Sequence, residues 1–205
     1  MAVRARISQD LHDEVGATLS SIHVYSSVAS KAMEKDAQKA KEALTHINQN
    51  TRQVMENMSD IVWAINTGQV GETALEIKLK NYGYELLTPL NIRCIYWIDK
   101  DADKRLVNIE ARKNVLLIVK EAMNNIAKYS EATEAMVKLE FRNRNLQLEI
   151  GDNGKGFNEK GNRSGNGLHN MRRRSETMGG SFVIRSETNK GTMLHVNIPI
   201  TSISD

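Results

Sequence analysis

From residue 4 to residue 66 the chain contains no proline and one glycine, Gly16. A run of that length without a breaker allows long uninterrupted helices. Its apolar positions agree. Leu44, Ile47, Val54, Met58, Ile61 and Ile65, with Thr51 completing the series, step alternately by three and four residues, which is a heptad seam. Upstream, Ile7, Leu11, Val15, Leu19 and Ile22 form a second stripe, and the polar stretch Glu34–Asp36 separates the two. The pattern predicts two long antiparallel helices joined by a short turn. A hairpin with an apolar seam cannot bury it alone, whereas two copies packed as a four-helix bundle can. Residues 1–66 are therefore expected to be a dimerisation unit, and the protein a homodimer.

The character of the sequence changes after Asn66. TGQVG (67–71) has linker composition, and residues 67–205 are expected to form a second domain. The spacing predicts a helix over about 73–87, a strand over 92–98 and a long helix over about 109–129. Strands near 135–142 and 146–151, a glycine-rich loop and a helix near 167–178 follow. A hairpin with strands at about 181–186 and 192–198, turned by ETNKG, closes the chain. Helices and strands alternate without a regular βαβ repeat. The expected class is α+β, a helical hairpin followed by an α/β sandwich on a mixed sheet.

Bulk properties exclude several functions. Net charge is only +3, with no basic stripe interleaved with aromatics, which argues against direct nucleic-acid binding. The single cysteine, Cys94, rules out an internal disulfide framework and suits a reducing compartment. No apolar run is long enough to span a bilayer, and no signal-peptide pattern opens the chain. Entry into a helix directly after Met-Ala leads to the expectation of a cytoplasmic piece of a longer receptor, with membrane attachment of that parent left open.

Four stretches carry candidate chemistry. In NLQLEIGDNGKGF (145–157), Leu146, Leu148 and Ile150 share the core-facing parity, and Asp152 continues it. A carboxylate there needs a partner, such as the exocyclic amine of adenine. Gly154 and Gly156 let the backbone approach a ligand, although DNG equally suits a plain hairpin turn. In the last strand Thr192 shares the inward parity of Leu194, Val196 and Ile198, directly after Gly191; ordinary β-branched packing explains that as well. In KEAMNNIAKYS (120–130) and the turns just before it, Val115, Ile118, Ala122 and Ile126 mark the buried face. Glu121, Asn125 and Lys128 form a polar stripe able to hold a hard cation such as Mg²⁺ and to meet a phosphate, or simply to face solvent. In SGNGLHNMRRR (164–174), Gly165 and Gly167 lead into a helix whose N-terminus favours phosphate. Arg172–Arg174 either assist there or form a solvated run.

The order of these motifs is more telling than any one of them. E-x-x-x-N on a helix, D-x-G-x-G-F after a strand, G-x-G-L into a helix and G-T opening the last strand together resemble the ATP-binding domain shared by histidine kinases, DNA gyrase, MutL-type repair ATPases and heat-shock chaperone ATPases. DLHDEVG (10–16), set on the helical hairpin, is similar to the H-D-x-x-x-Q signature of sensor histidine kinases. The resemblance runs from about Arg6 to Pro199. It implies that His12 is the phosphoacceptor and that Asp13 orients its imidazole or takes its proton. It implies that Asn125, assisted by Glu121, holds Mg²⁺, that Lys128 meets a phosphate, and that Asp152 binds the adenine amine. Gly154 and Gly156 would shape that pocket with support from Thr192, and Gly165, Gly167 and Leu168 would belong to the loop over the phosphates of ATP. The implied activity is autophosphorylation of His12, then transfer to an aspartate of a separate response regulator receiver domain.

Local sequence suits that role for His12. Its helical neighbours Ser8 and Gly16 are small, and Leu11 supplies the buried side of the turn, so His12 can face outward. A neutral imidazole is a competent nucleophile near pH 7. His23, His46, His169 and His195 have no such setting. Two departures stand out. The signature's glutamine falls at Ala17, which implies weak or absent phosphatase activity toward the regulator. Tyr129 stands where many relatives carry histidine. Two other readings remain open: an ATPase of the gyrase or chaperone kind in which Glu121 activates water, and a catalytically silent dimer scaffold.

Overall fold

The computed structural model describes residues 2–66, 74–100, 105, 106, 108–158, 166–199 and 201, with the side chains of 2–15, 17, 53, 57, 61, 64–66, 74 and 166 excepted. The chain divides into two compact units, Met1–Asn66 and Thr67–Asp205. The predicted TGQVG linker lies outside the described residues.

The first unit is a hairpin of α1 (Ala2–Ala32) and α2 (Ala37–Asn66). Its turn is closed from both sides. Ala32 O accepts from Lys35 N at 3.0 Å and Asp36 N at 2.7 Å, and Asp36 Oδ1 caps α2 by accepting from Lys39 N at 3.0 Å. Around the turn the buried residues are small, namely Ala29, Ala32, Ala40 and Ala43. Further along, the Tyr25 and His46 rings stack with centroids 4.6 Å apart, and Asn50 Nδ2 donates to Ser21 Oγ at 3.0 Å. Much of the apolar pattern stays open. Leu19, Val24, Leu44, Met55, Met58 and Val62 are between 46% and 66% exposed. Two seam positions, Leu44 and Met58, are among them, so alanines make the closest contact within the hairpin and the larger side chains are left over.

The second unit holds α3 (Ala74–Leu87), β1 (Arg93–Ile98), α4 (Ile109–Asn125), β2 (Glu134–Arg142), β3 (Asn145–Asp152), α5 (Asn166–Thr177), β4 (Ser181–Ser186) and β5 (Thr192–Pro199). The sheet order is β1-β2-β3-β5-β4. β1 and β2 are parallel and every other pair is antiparallel, so the sheet is mixed as expected. Period-2 alternation builds one dry face. Ala135, Val137, Leu139, Leu146, Leu148, Ile150, Leu194, Val196 and Ile198 are all 3% exposed or less. Facing them are Val115, Ile118, Ala122 and Ile126 from α4 and the turn after it, all buried. No helix among the described residues is long and apolar enough to cross a membrane.

One predicted helix differs from expectation. The helix expected to run to 129 ends at Asn125, and Ile126–Ser130 continues as a wider π-helical turn closed by Glu131 at φ 54°. The cause is the Ser130 hydroxyl, which donates to Ile126 O at 2.7 Å and accepts from Ala132 N at 3.0 Å. A side chain that takes both a carbonyl and an amide from the backbone competes with the α-helical ladder.

Candidate functional site

α4, the π-turn, the loop after β3, the start of α5 and the inner faces of β4 and β5 enclose a cavity of about 1030 Å³. Its apolar lining includes Ile126, Ile150, Met171, Phe182 and Leu194. A few polar groups converge on that floor, the usual composition of a small-molecule site. Of the residues singled out in the sequence, Glu121, Asn125, Lys128, Asp152, Gly156, Gly167, Leu168 and Thr192 all line it. Gly154 sits just behind, against Ser130. Gly165 lies outside the described residues, and His12 and Asp13 fall within α1 with side chains outside them.

Asp152 ends β3 opposite Thr192 of β5. Its Oδ1 accepts from Gly154 N at 2.8 Å. Burial pushes its carboxyl above the usual carboxylate range, and backbone N–H groups of Gly154 and Thr192 pull the other way. A half-buried acceptor above an apolar floor is built to receive a donor from a ligand. The loop that follows is pinned through the backbone, with Lys155 N donating to Ser130 O at 2.7 Å. At Gly156 the φ of +55° and the nearness of Glu187 O, 2.2 Å from any added Cβ, admit only glycine.

The polar stripe of α4 meets the first turn of α5. A Cβ on Gly167 would lie 2.1 Å from Glu121 Oε1 and 3.6 Å from Asn125 Nδ2. The N–H groups that open a helix therefore stand beside a carboxylate and an amide, a setting suited to phosphate with a bridging cation. The π-turn brings Lys128 and Tyr129, both exposed, to the same rim.

The arginine run divides three ways. Arg172 lines the cavity, with its guanidinium 5.1 Å from the Phe182 ring centroid and Nη1 donating to Phe182 O at 3.3 Å. Arg173 is exposed. Arg174 Nη1 donates to Asn114 Oδ1 at 3.2 Å, tying α5 to α4.

Sequence reasoning passed over three contributors. Lys155 lines the cavity while paired with Glu131 at 2.7 Å, and His169 lines its α5 side. Ser186 stands behind Thr192: its Oγ accepts from Phe157 N at 2.9 Å and lies 2.9 Å from Thr192 Oγ1 and 3.2 Å from Gly191 O. A signal for it existed, because Ser186 continues the inward parity of Phe182 and Ile184.

Comparison with known proteins finds relatives for both units. Residues 3–70 match the family described as histidine kinase, and residues 110–202 match the family of histidine kinase-, DNA gyrase B- and HSP90-like ATPases. Sensor histidine kinase DesK of Bacillus subtilis (strain 168) is 31% identical over 202 residues, covering 97% of this chain and 51% of the relative. Sensor histidine kinase LiaS of the same organism is 27% identical over 199 residues, covering 96% and 54%. The chain thus spans about half the length of these curated relatives. Among solved structures, the histidine kinase domain of the Erythrobacter litoralis EL346 blue-light activated histidine kinase superposes with a TM-score of 0.59 at 14% identity, covering 98% of this chain and 99% of that one. Acinetobacter baumannii histidine kinase AdeS gives 0.58 at 14%, covering 88% and 95%. At such identities the likeness shows a shared fold.

Proposed function

We propose that this chain, which belongs to the two-component histidine kinases, is the kinase core of a sensor that phosphorylates His12 from ATP and passes the phosphoryl group to an aspartate of a response regulator. The observation that carries the reading is the convergence of Glu121, Asn125, Lys128, Asp152 and Thr192, drawn from three separate stretches of sequence, on one cavity of nucleotide size.

Each residue then has a task. Asp152 accepts from the adenine amine, Thr192 supports that end, and Gly154 and Gly156 keep the loop close to the base. Lys128 meets a phosphate, and Gly165, Gly167 and Leu168 belong to the segment over the phosphates. Asn125 and Glu121 offer two oxygen donors, and no group of three or more histidine, cysteine or acidic side chains able to hold a metal exists among the described residues. That donor set fits Mg²⁺, which keeps waters and phosphate oxygens as its other ligands. When bound, the ion neutralises charge on the phosphates.

In the transfer, a neutral imidazole nitrogen of His12 forms the bond to the γ-phosphorus as the bond to the bridging oxygen breaks, and ADP leaves. Asp13 fixes the tautomer and takes the ring proton. The exposed side chains Leu19, Leu44, Met55, Met58 and Val62 support docking of a second hairpin to complete a four-helix bundle. The absence of glutamine at Ala17 fits a core with little phosphatase activity, and residues 67–205 act as the catalytic, ATP-binding domain of an intracellular, cytoplasmic kinase.

The fate of the γ-phosphate tests the reading. With γ-labelled ATP and Mg²⁺, label retained on the protein is expected. Label released wholly as inorganic phosphate would replace the kinase with an ATPase in which Glu121 activates water.

A further inference from the structure

We infer that Asn153 is a positioning residue for the nucleotide base: it clamps the loop after β3 onto the start of β2, and so holds the Asp152 carboxylate in the orientation that receives an amine. The inference deepens the nucleotide reading above and rests on it.

β3 ends at Asp152, opposite Ala135 of β2. The ladder runs one residue further, with Asn153 N donating to Glu134 O at 3.2 Å. There the side chain takes over from the backbone. Asn153 Oδ1 accepts from Thr133 N and from Glu134 N, both at 3.0 Å, and Nδ2 donates to Thr133 Oγ1 at 3.0 Å. The orientation of this amide has one solution. Backbone N–H groups only donate, so the atom facing two of them is the carbonyl oxygen, and the NH₂ is left for the threonine oxygen.

The next two residues carry the constraint to the carboxylate. Gly154 N donates back to Asp152 Oδ1 at 2.8 Å, and Lys155 N donates to Ser130 O at 2.7 Å. Gly154 is thus held from both sides, through Asn153 by the start of β2 and through Lys155 by the π-turn. Ser130 O, 2.1 Å from any Cβ added there, leaves it no room to shift that way. Its N–H is aimed at one carboxylate oxygen, and the lone pairs that remain serve a ligand. Asn153 itself is not among the described residues lining the cavity, whereas Asp152 is. Any effect of Asn153 on a ligand therefore passes through the loop and Asp152.

Asn153 is exposed. Water can replace each of its bonds, so they add little to folding, but water cannot replace the tie between two segments of chain. Freed from β2, the loop lets Gly154 N move away and the carboxylate turn. An acceptor fixed in place tells an amine from a carbonyl at the same point of a purine, because the carbonyl meets it acceptor to acceptor. An acceptor that turns discriminates less.

The test is binding of three probes to the whole chain and its variants: ATP, inosine triphosphate, which has a carbonyl in place of the adenine amine, and inorganic tripolyphosphate, which has no base. In Asn153→Ala the preference for ATP over inosine triphosphate is expected to fall about ten-fold, the worth of one hydrogen bond to a charged group, while tripolyphosphate binds as before. Asn153→Asp keeps one oxygen for the two backbone N–H groups and another for the Thr133 hydroxyl, whose proton can turn to it. That variant is expected to retain the preference even where its added charge lowers all three affinities together, and its comparison with the parent stands if the alanine variant does not fold. In an Asp152→Asn background, Asn153→Ala is expected to lower the preference no further. An unchanged preference or an equal loss for all three probes in Asn153→Ala, a lost preference in Asn153→Asp, or a further ten-fold loss in the Asp152→Asn background would each overturn the inference. A parent chain that binds neither nucleotide, or both equally, would remove the reading of the base site itself, and this inference with it, before any variant is compared.

Discussion

Asp152 ionises against its surroundings. Burial raises its carboxyl above the usual range, and the Gly154 and Thr192 amides offset that only in part. A group whose folded pKa is raised favours the folded state below its unfolded value, and loses that contribution as pH rises through the folded value. At neutral pH the ionised side chain therefore costs stability, and a ligand N–H facing it offsets the cost. Asp152→Asn should accordingly bind ATP poorly yet unfold at the same temperature as the parent or higher at pH 7, with the difference disappearing toward acid pH. Calorimetric binding and thermal unfolding across pH check both halves; a variant that both binds weakly and melts early would instead make Asp152 structural. This residue was legible in sequence because strand parity is a local, period-2 property: Leu146, Leu148 and Ile150 set the inward side and Asp152 follows. Ser186 was not, although its parity is equally inward. It is near Phe157 N, Gly191 O and Thr192 Oγ1, a meeting that only the closed sheet brings about.

At the scale of elements, the site depends on where α4 stops. The π-turn Ile126–Ser130 brings Lys128 to the cavity, and the Ser130 carbonyl receives Lys155 N. That carbonyl lies 2.1 Å from any Cβ placed on Gly154. Backbone cannot yield as a flexible side chain does, so Gly154→Ala should displace the loop, weaken ATP binding and lower thermal stability. The size of the melting shift measures how tightly the two segments are locked; unchanged binding and melting would show that the loop moves freely. Helix and strand positions were readable from spacing, and the polar stripe Glu121–Asn125 with them, since both are read within one element. The π-turn was not. Ile126 belongs to the apolar face in either geometry, and the feature that widens the turn is a serine hydroxyl bonding locally, which periodicity does not register.

The whole molecule places two kinds of surface in one chain. The first unit leaves large apolar side chains open on a hairpin whose own contacts near the turn are made by alanines, and the second builds a cavity with convergent polar groups. Both follow from pattern: a heptad seam too rich for two helices alone, and a sheet whose inward parity ends in Asp152 and Thr192. The proposed homodimer would cover the first surface. Leu44→Glu combined with Met58→Glu should give a monomer by light scattering, since both positions are nearly half exposed in the single chain and a buried unpaired carboxylate in the bundle is costly. A dimer that survives both changes would place the interface elsewhere. The central claim joins the two units through one phosphoryl group. Its most direct measurement is the acid lability of label from γ-labelled ATP on the parent chain beside His12→Gln. Acid-labile, alkali-stable label on the parent and none on the variant is the predicted result; equal labelling of both proteins would contradict it.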